Sequence, residues 1–322
     1  MNVEMIPMSE NRAIGVASSK LILVGEHAVV HGQPAIALPF PLIKVESSVQ
    51  EIEGPIRLES ELYNGLLDEA PTQLSGIVQT IKETLICLRV PAENLLIQIH
   101  STIPPGKGLG SSASVAIAIV RSLFHYTNTP YTNEQLLKLA NIAETYAHGA
   151  PSGIDSITIT SSSPVWYQKE ASVDYIEPKG TFYFVVADTG MMADTKSSVA
   201  NVKELLKTAP EKMYGAVERI GEITYQVREA LEKSSKKVLG YLLNEAQHEL
   251  ELLGVSNEGL ERLIQFARKE GALGAKLTGA GKGGCMIALA QNELHSKQLS
   301  EKLKQFGAQA VWPFVLKNEH IE

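Results

Sequence analysis

Cysteine is nearly missing from this chain: Cys87 and Cys285 are the only two among 322 residues. Two are too few for a disulfide framework or a cysteine zinc site, and they read as core thiols of a protein in a reducing compartment. Basic charge is short as well, with 29 Lys and Arg against 36 Asp and Glu, for a formal net charge of -7. No basic stripe or lysine-rich tail is visible, which argues against bulk attraction to nucleic acid or an anionic membrane. An anionic substrate would need a locally positive pocket. No run approaches ~18 apolar residues, and polar and charged residues stand where a signal peptide would have its apolar stretch, so a cytoplasmic protein is expected.

Hydrophobic residues make up 44% and charged residues 20% of the chain. Those are values of an ordinary globular protein, and the length allows two domains with a core each. Two short β-type runs are expected from Ile14 to Val24, another from Ala35 to Leu38, and a half-exposed strand from Ile43 to Val49. Apolar spacing predicts a helix over Leu74 to Leu88, and Asn94 to His100 alternates as a strand. Thr132 and Gln135 fit a capping box that opens a helix to about Ala147. After a turn rich in glycine and proline at His148 to Asp155, β-prone residues run from Ile157 to Thr160. Phe182 to Ala187 reads as a buried strand, and the pattern is then mostly helical from Lys196 to Lys269. That shift places a domain boundary near Ala187, dividing the chain into 1–187 and 188–322. A strand, a glycine loop (Thr278 to Gly284) and a second strand follow, then a helix over Glu293 to Phe306 and a strand around Ala308 to Val315.

The stretch Ile103 to Ser114, Ile-Pro-Pro-Gly-Lys-Gly-Leu-Gly-Ser-Ser-Ala-Ser, joins a strand to an apolar helix ending near Tyr126. Gly106, Gly108 and Gly110 free the backbone to turn its amides inward, and the first-turn amides of the helix lack partners, so the stretch reads as a phosphate cradle. A helix dipole contributes about 0.3 to 1 kcal/mol at an exposed site. A hydrogen bond to a charged group contributes about 1.5 to 3 kcal/mol. The backbone N–H groups, with Lys107 and a metal ion, are therefore expected to do most of the holding. The spacing is neither Walker A nor the dinucleotide fingerprint; Gly279, Gly281 and Gly284 match that fingerprint formally, but a β run follows where it requires a helix.

Lys20, Glu26 and His27 flank one buried strand. Each alone has an ordinary reading: a strand-edge lysine, an exposed loop carboxylate, a satisfied core imidazole. Clustering weakens all three. Glu144 falls at the border of its helix's apolar face, as a rim charge or as a ligand turned into a closed site. Its i, i+4 spacing to His148 could serve zinc, yet no third ligand lies nearby.

Three segments stand together: Ser19-Lys20 through Gly32, the cradle, and the glycine loop at 277–285. In order and spacing they resemble the motifs of the GHMP small-molecule kinases. Within that family, Gly25-Glu26-His27-Ala28-Val29-Val30-His31-Gly32 and the 148–155 loop are similar to the branch that phosphorylates mevalonate. The resemblance implies an α+β, two-domain GHMP kinase fold, with an N-terminal α/β domain, a C-terminal ferredoxin-like domain and the active site between them. It implies ATP-dependent phosphorylation of the C5 hydroxyl of mevalonate. Asp155 and Lys20 would be catalytic. ATP would bind at Pro105, Gly106, Lys107, Gly108, Leu109, Gly110, Ser111, Ser112, Gly279, Ala280 and Gly281. Ser112 and Glu144 would hold Mg²⁺, and Glu26, His27 and Thr195 would lie near mevalonate. A homodimer is also implied. Lys282 departs from a loop that is often all glycine in the family. The alternatives are another acceptor on the same fold, such as phosphomevalonate, or a non-catalytic sensor; retention of Lys20, Ser112, Glu144 and Asp155 argues against a sensor.

Overall fold

The structure is a computed structural model, and it describes residues 12–148, 153–193 and 195–318. Through these the chain runs β1 (Ala13–Val24), β2 (Ala35–Pro55), β3 (Arg57–Ser60), β4 (Tyr63–Leu66), α1 (Ser75–Leu88), β5 (Glu93–Ser101), α2 (Ser111–Tyr126), α3 (Asn133–His148) and α4 (Ile154–Ile159). It continues through β6 (Val165–Tyr167), β7 (Asp174–Tyr175), β8 (Thr181–Asp188), α5 (Thr195–Thr208), α6 (Pro210–Glu232), α7 (Lys236–Leu252) and α8 (Glu258–Lys269). β9 (Gly274–Thr278), β10 (Cys285–Ala290), α9 (Glu293–Phe306) and β11 (Ala310–Lys317) complete it.

Two compact units emerge, and neither is a single continuous stretch. The first comprises 1–18, 44–102 and 112–151. In it, β2 from Val45 onward pairs antiparallel with β5, β3 lies parallel to β5, and β4 closes the edge. α1 packs on α3. The core of this unit gathers Val49, Leu58, Ile81, Leu85, Ile97, Ile119 and Leu123. Each such aliphatic side chain contributes about 1.5 to 3 kcal/mol on burial. The capping box forms as expected: Thr132 N donates to Gln135 Oε1 at 2.9 Å and Gln135 N to Thr132 Oγ1 at 3.2 Å.

The second unit comprises 19–43, 103–111 and 152–322. Its four-stranded antiparallel sheet has the order β11-β8-β10-β9, with Cys285 opposite Asp188 on one side and Thr278 on the other. α7, α8 and α9 pack on this sheet, and α6 packs on α7. The buried core joins Val185 and Ala187 of β8 to Leu277 of β9, Met286 of β10 and Leu263 of α8. A smaller cluster in the same unit joins Ile22, Ala35, Ala37 and Val165 to Ile154 of α4.

Four sequence readings need correction. Ile157 to Thr160 is not a strand, because Ile154–Ile159 forms α4. Burial of Ile154 and Ile159 decides this, and Thr158 Oγ1 bonds back to Ile154 O at 2.7 Å, so tertiary packing overrides β-propensity. The two runs within 14–24 are one strand, and so are those at 35–38 and 43–49. Pro39 and Pro41 are tolerated in β2 because they lie between the segment paired to β6 and the segment paired to β5. Finally, Cys87 is an exposed thiol, one side of α1 away from buried Ile81, Thr84 and Leu85; only Cys285 is in a core.

Candidate active site

β1 is tied to the cradle at Ser19 and Lys20. Lys20 N donates to Leu109 O at 3.3 Å, and Ser19 Oγ donates to the same carbonyl at 2.7 Å. This contact within the strand lays the Lys20 side chain alongside the cradle. Lys20 Nζ accordingly sits 2.8 Å from Asp155 Oδ1, with side-chain exposures of 6% and 27%. Asp155 is in the first turn of α4, behind Gly153 at φ 84°. The lysine is therefore neither at an edge nor in solvent; it is buried, and its head meets a partly open carboxylate.

The cradle itself needs its glycines for two separate reasons. Gly110 has φ 75°, and a Cβ there would stand 2.9 Å from Lys20 Cγ. Gly108, also at φ 75°, faces Gly279 of the β9–β10 loop, where a Cβ on Gly279 would meet Gly108 Cα at 3.2 Å. Two backbones touching without side chains explain the paired glycine-rich loops. Leu109 is buried, so it has only its backbone to present, while Pro105 is exposed. Ser111 and Ser112 open α2, where the first amides have no intrahelical acceptor. Lys107 points elsewhere: Nζ pairs with Asp188 Oδ1 at 2.9 Å and donates to Met191 O at 3.0 Å.

Glu26 and His27 lie in the same unit, just past β1. Glu26 is buried and pairs with Lys276 of β9, itself wholly buried. Burial pushes the Glu26 carboxyl up and the Lys276 ammonium down, against the opposing pull of the ion pair. Glu26 Oε2 has no hydrogen-bond partner among the described residues. His27 Nε2 lies 2.9 Å from Ala280 O, in the glycine loop, and burial lowers its pKa to about 4. The ring is thus neutral at pH 7, and facing a carbonyl makes Nε2 the protonated nitrogen. Thr278 Oγ1 accepts from Ile22 N at 3.2 Å and donates to Ile22 O at 2.8 Å, locking β9 to β1.

These contacts gather Lys20, Asp155, Glu26, His27, residues 103–110 and residues 279–281 within one unit. Ser112 and Glu144 belong to the other. There Glu144 is 6% exposed, a carboxylate inside rather than a rim charge. Ser112 is half-buried at the start of α2. Thr195 begins α5 with its side chain outside what is described, and Gly149 to Ser152 of the 148–155 loop lie outside the described residues. Among the described residues no group of three His, Cys, Asp or Glu side chains is arranged to hold a metal ion. Lys276, Thr278 and Asp188 were not singled out from the sequence; a lysine within the apolar run Gly274–Thr278 was the available signal, since a charge on a buried strand needs a partner.

Residues 74–163 match the GHMP kinases N terminal domain, and residues 227–309 match GHMP kinases C terminal. A mevalonate kinase of Thermococcus sibiricus is 34% identical over 301 residues, covering 87% of this chain and 89% of that protein. The chain belongs to the mevalonate kinase family of GHMP kinases. A second member of the family, from Pyrococcus furiosus, is 32% identical over 303 residues, 88% of this chain and 90% of its own. Among solved structures, L. major mevalonate kinase in complex with R-mevalonate gives a TM-score of 0.83 at 27% identity, covering 97% of this chain and 98% of that one. Methanococcus jannaschii mevalonate kinase gives 0.81 at 26% identity, covering 96% and 99%. The expected two-domain GHMP kinase fold is therefore the fold of this family member. None of its described helices is long and apolar enough to cross a membrane.

Proposed function

We propose that this chain transfers the γ-phosphoryl group of ATP to the C5 hydroxyl of mevalonate, giving 5-phosphomevalonate and ADP. The observation that carries the reading is the 2.8 Å contact of Lys20 with Asp155, made where Lys20 also touches the cradle through Leu109. Asp155 orients the alcohol and accepts its proton. The transition state for phosphoryl transfer is loose, so late proton acceptance suffices. Lys20, beside that carboxylate, offsets negative charge on the equatorial phosphoryl oxygens. Backbone amides of 105–112 hold the nucleotide phosphates, with 279–281 alongside Gly108. Glu26 supports the acceptor site with a buried oxygen that has no partner among the described residues, His27 with a neutral ring; Thr195 belongs to the same reading through the family likeness.

Mg²⁺ favours a few oxygen ligands completed by phosphate and water, and a serine hydroxyl with a buried carboxylate is such a set. Ser112 and Glu144, on α2 and α3 of one unit, fit it. When bound, the ion neutralises charge on the phosphates. Domains at 1–187 and 188–322, a cytoplasmic location and a homodimer complete the reading. Two free cysteines support the location, and separate matches to an N-terminal and a C-terminal domain support the division.

The test is ADP release by the purified protein with MgATP and, in parallel, mevalonate, phosphomevalonate, galactose or homoserine. Turnover with mevalonate is expected to exceed the others by orders of magnitude. Equal turnover with phosphomevalonate or galactose sinks the assignment, and nucleotide binding with no turnover on any acceptor would make the chain a sensor.

A further inference from the structure

The cradle lysine does not behave as a phosphate ligand. Lys107 is 8% and Asp188 3% exposed at the side chain, and their 2.9 Å pairing is joined by the bond from Lys107 Nζ to Met191 O. Moving the ammonium to a phosphate would strand Asp188 as a buried, unpaired charge. Asp188 is also rigidly held. It ends β8, a strand paired on both sides, with Cys285 opposite in β10 and Ala310 opposite in β11. Its Oδ1 accepts from Gly190 N at 2.9 Å, and its carbonyl accepts from Gln309 N at 2.9 Å.

The turn that follows Asp188 is stitched to both glycine-rich loops. Ala193 N donates to Gly106 O at 2.7 Å. Gly284 N donates to Met191 O at 2.9 Å, and Gly284 O accepts from Thr189 N at 3.0 Å and from Thr189 Oγ1 at 2.8 Å. A Cβ on Gly284 would stand 2.8 Å from Lys107 O, so the two loops meet at Lys107 itself. The cradle has left-handed glycines at 106, 108 and 110 and no strand or helix of its own before α2, so its own backbone leaves it loose. The bonds at Gly106 O and Leu109 O restrain it at two points, and the buried ion pair of Lys107 with the sheet adds a third.

We infer that Asp188 is a positioning residue for the nucleotide: through its ion pair with Lys107 it holds the cradle amides in the geometry that receives the ATP phosphates. Asp188 touches no substrate. Lys107 acts as a bolt between cradle and sheet, and its ammonium stays on Asp188 when nucleotide is bound. This rests on the reading of the cradle as the ATP phosphate site.

The experiment measures MgATP affinity by calorimetry on the full chain without mevalonate, alongside KM for each substrate, in Asp188→Asn, Lys107→Met, the double variant and Lys107→Arg. Each single neutral variant is expected to weaken MgATP by roughly 10-fold while the mevalonate KM stays within about two-fold, and the double variant is no weaker than the worse single. Lys107→Arg, which can re-form the pair, is expected to stay within about three-fold of the parent. Lys107→Met leaves Asp188 charged and buried and should also melt earlier; adding Asp188→Asn should recover melting temperature without recovering affinity. Weakened binding in Lys107→Met but not in Asp188→Asn would make Lys107 a direct phosphate ligand and overturn the inference. Lower melting temperatures with unchanged MgATP affinity would overturn it too, leaving a purely structural pair. If Asp188→Asn does not fold, the double variant and Lys107→Arg carry the comparison, and loss of affinity in Lys107→Arg equal to that in Lys107→Met overturns the inference. Parent protein that binds MgATP but does not phosphorylate mevalonate would refute the proposed reaction and leave this inference standing.

Discussion

Lys20 Nζ and Asp155 Oδ1 meet at 2.8 Å although they are 135 positions apart in the chain, and the lysine is the more buried partner. One side of Asp155 is thus neutralised from within the protein while the other stays open. A carboxylate placed like this is suited to accept a proton from outside.

Asp155→Asn keeps the shape and removes the acceptor. Turnover is expected to fall by about 10² to 10⁴, the usual share of a general base, with ATP affinity nearly unchanged. Steady-state kinetics with direct ATP binding checks this; activity within a few-fold of the parent would remove Asp155 from the role.

Gly110→Ala probes the contact between cradle and lysine. A side chain at φ 75° is strained and its Cβ would press on Lys20 Cγ, so a loss of about 1 to 3 kcal/mol in stability is expected, together with reduced turnover as Lys20 is displaced. Urea unfolding and kcat read the two effects. A variant equal to the parent in both would show that Lys20 can retreat freely.

Acid should act through His27. Its native pKa of about 4 lies below the value near 6.5 of an unfolded histidine, so the unfolded chain binds the proton first. The stability it contributes is complete above pH ~6.5 and drains away as pH falls through ~4, amounting to on the order of 3 kcal/mol. Denaturant titrations between pH 7.5 and 4 should show a shallower loss in His27→Asn, a substitution that also suits the positive φ of 60°. Parallel stability curves would contradict the burial of a neutral ring.

Glu144→Gln tests the metal reading. The Mg²⁺ concentration for half-maximal activity is expected to rise on the order of 10-fold, with the fold intact by circular dichroism. An unchanged metal titration would make Glu144 a structural carboxylate.

Much of the chain was legible in advance because local patterns coincide with tertiary demands. The capping box at Thr132, the helix over Ser75–Leu88 and the strands around 278–285 follow from spacing and turn chemistry alone. Ile157 to Thr160 misled because β-branched residues were recruited into a short helix by the burial of Ile154 and Ile159. Glu26 taken alone reads as an exposed carboxylate for a related reason: its partner Lys276 is 250 positions away, and no local window contains both.

By itself the amino-acid order determined which residue types stand at the cradle, which glycines permit left-handed turns there, and which family the three motifs resemble. Only the tertiary structure decided where the charges go. Lys276 turned to Glu26, and Lys107 to Asp188 instead of to the cradle's mouth. The physical reason is burial. A charge taken out of water must find an opposite charge or hydrogen-bonding group nearby, and which one it finds depends on strand pairings and loop contacts between residues far apart in the chain.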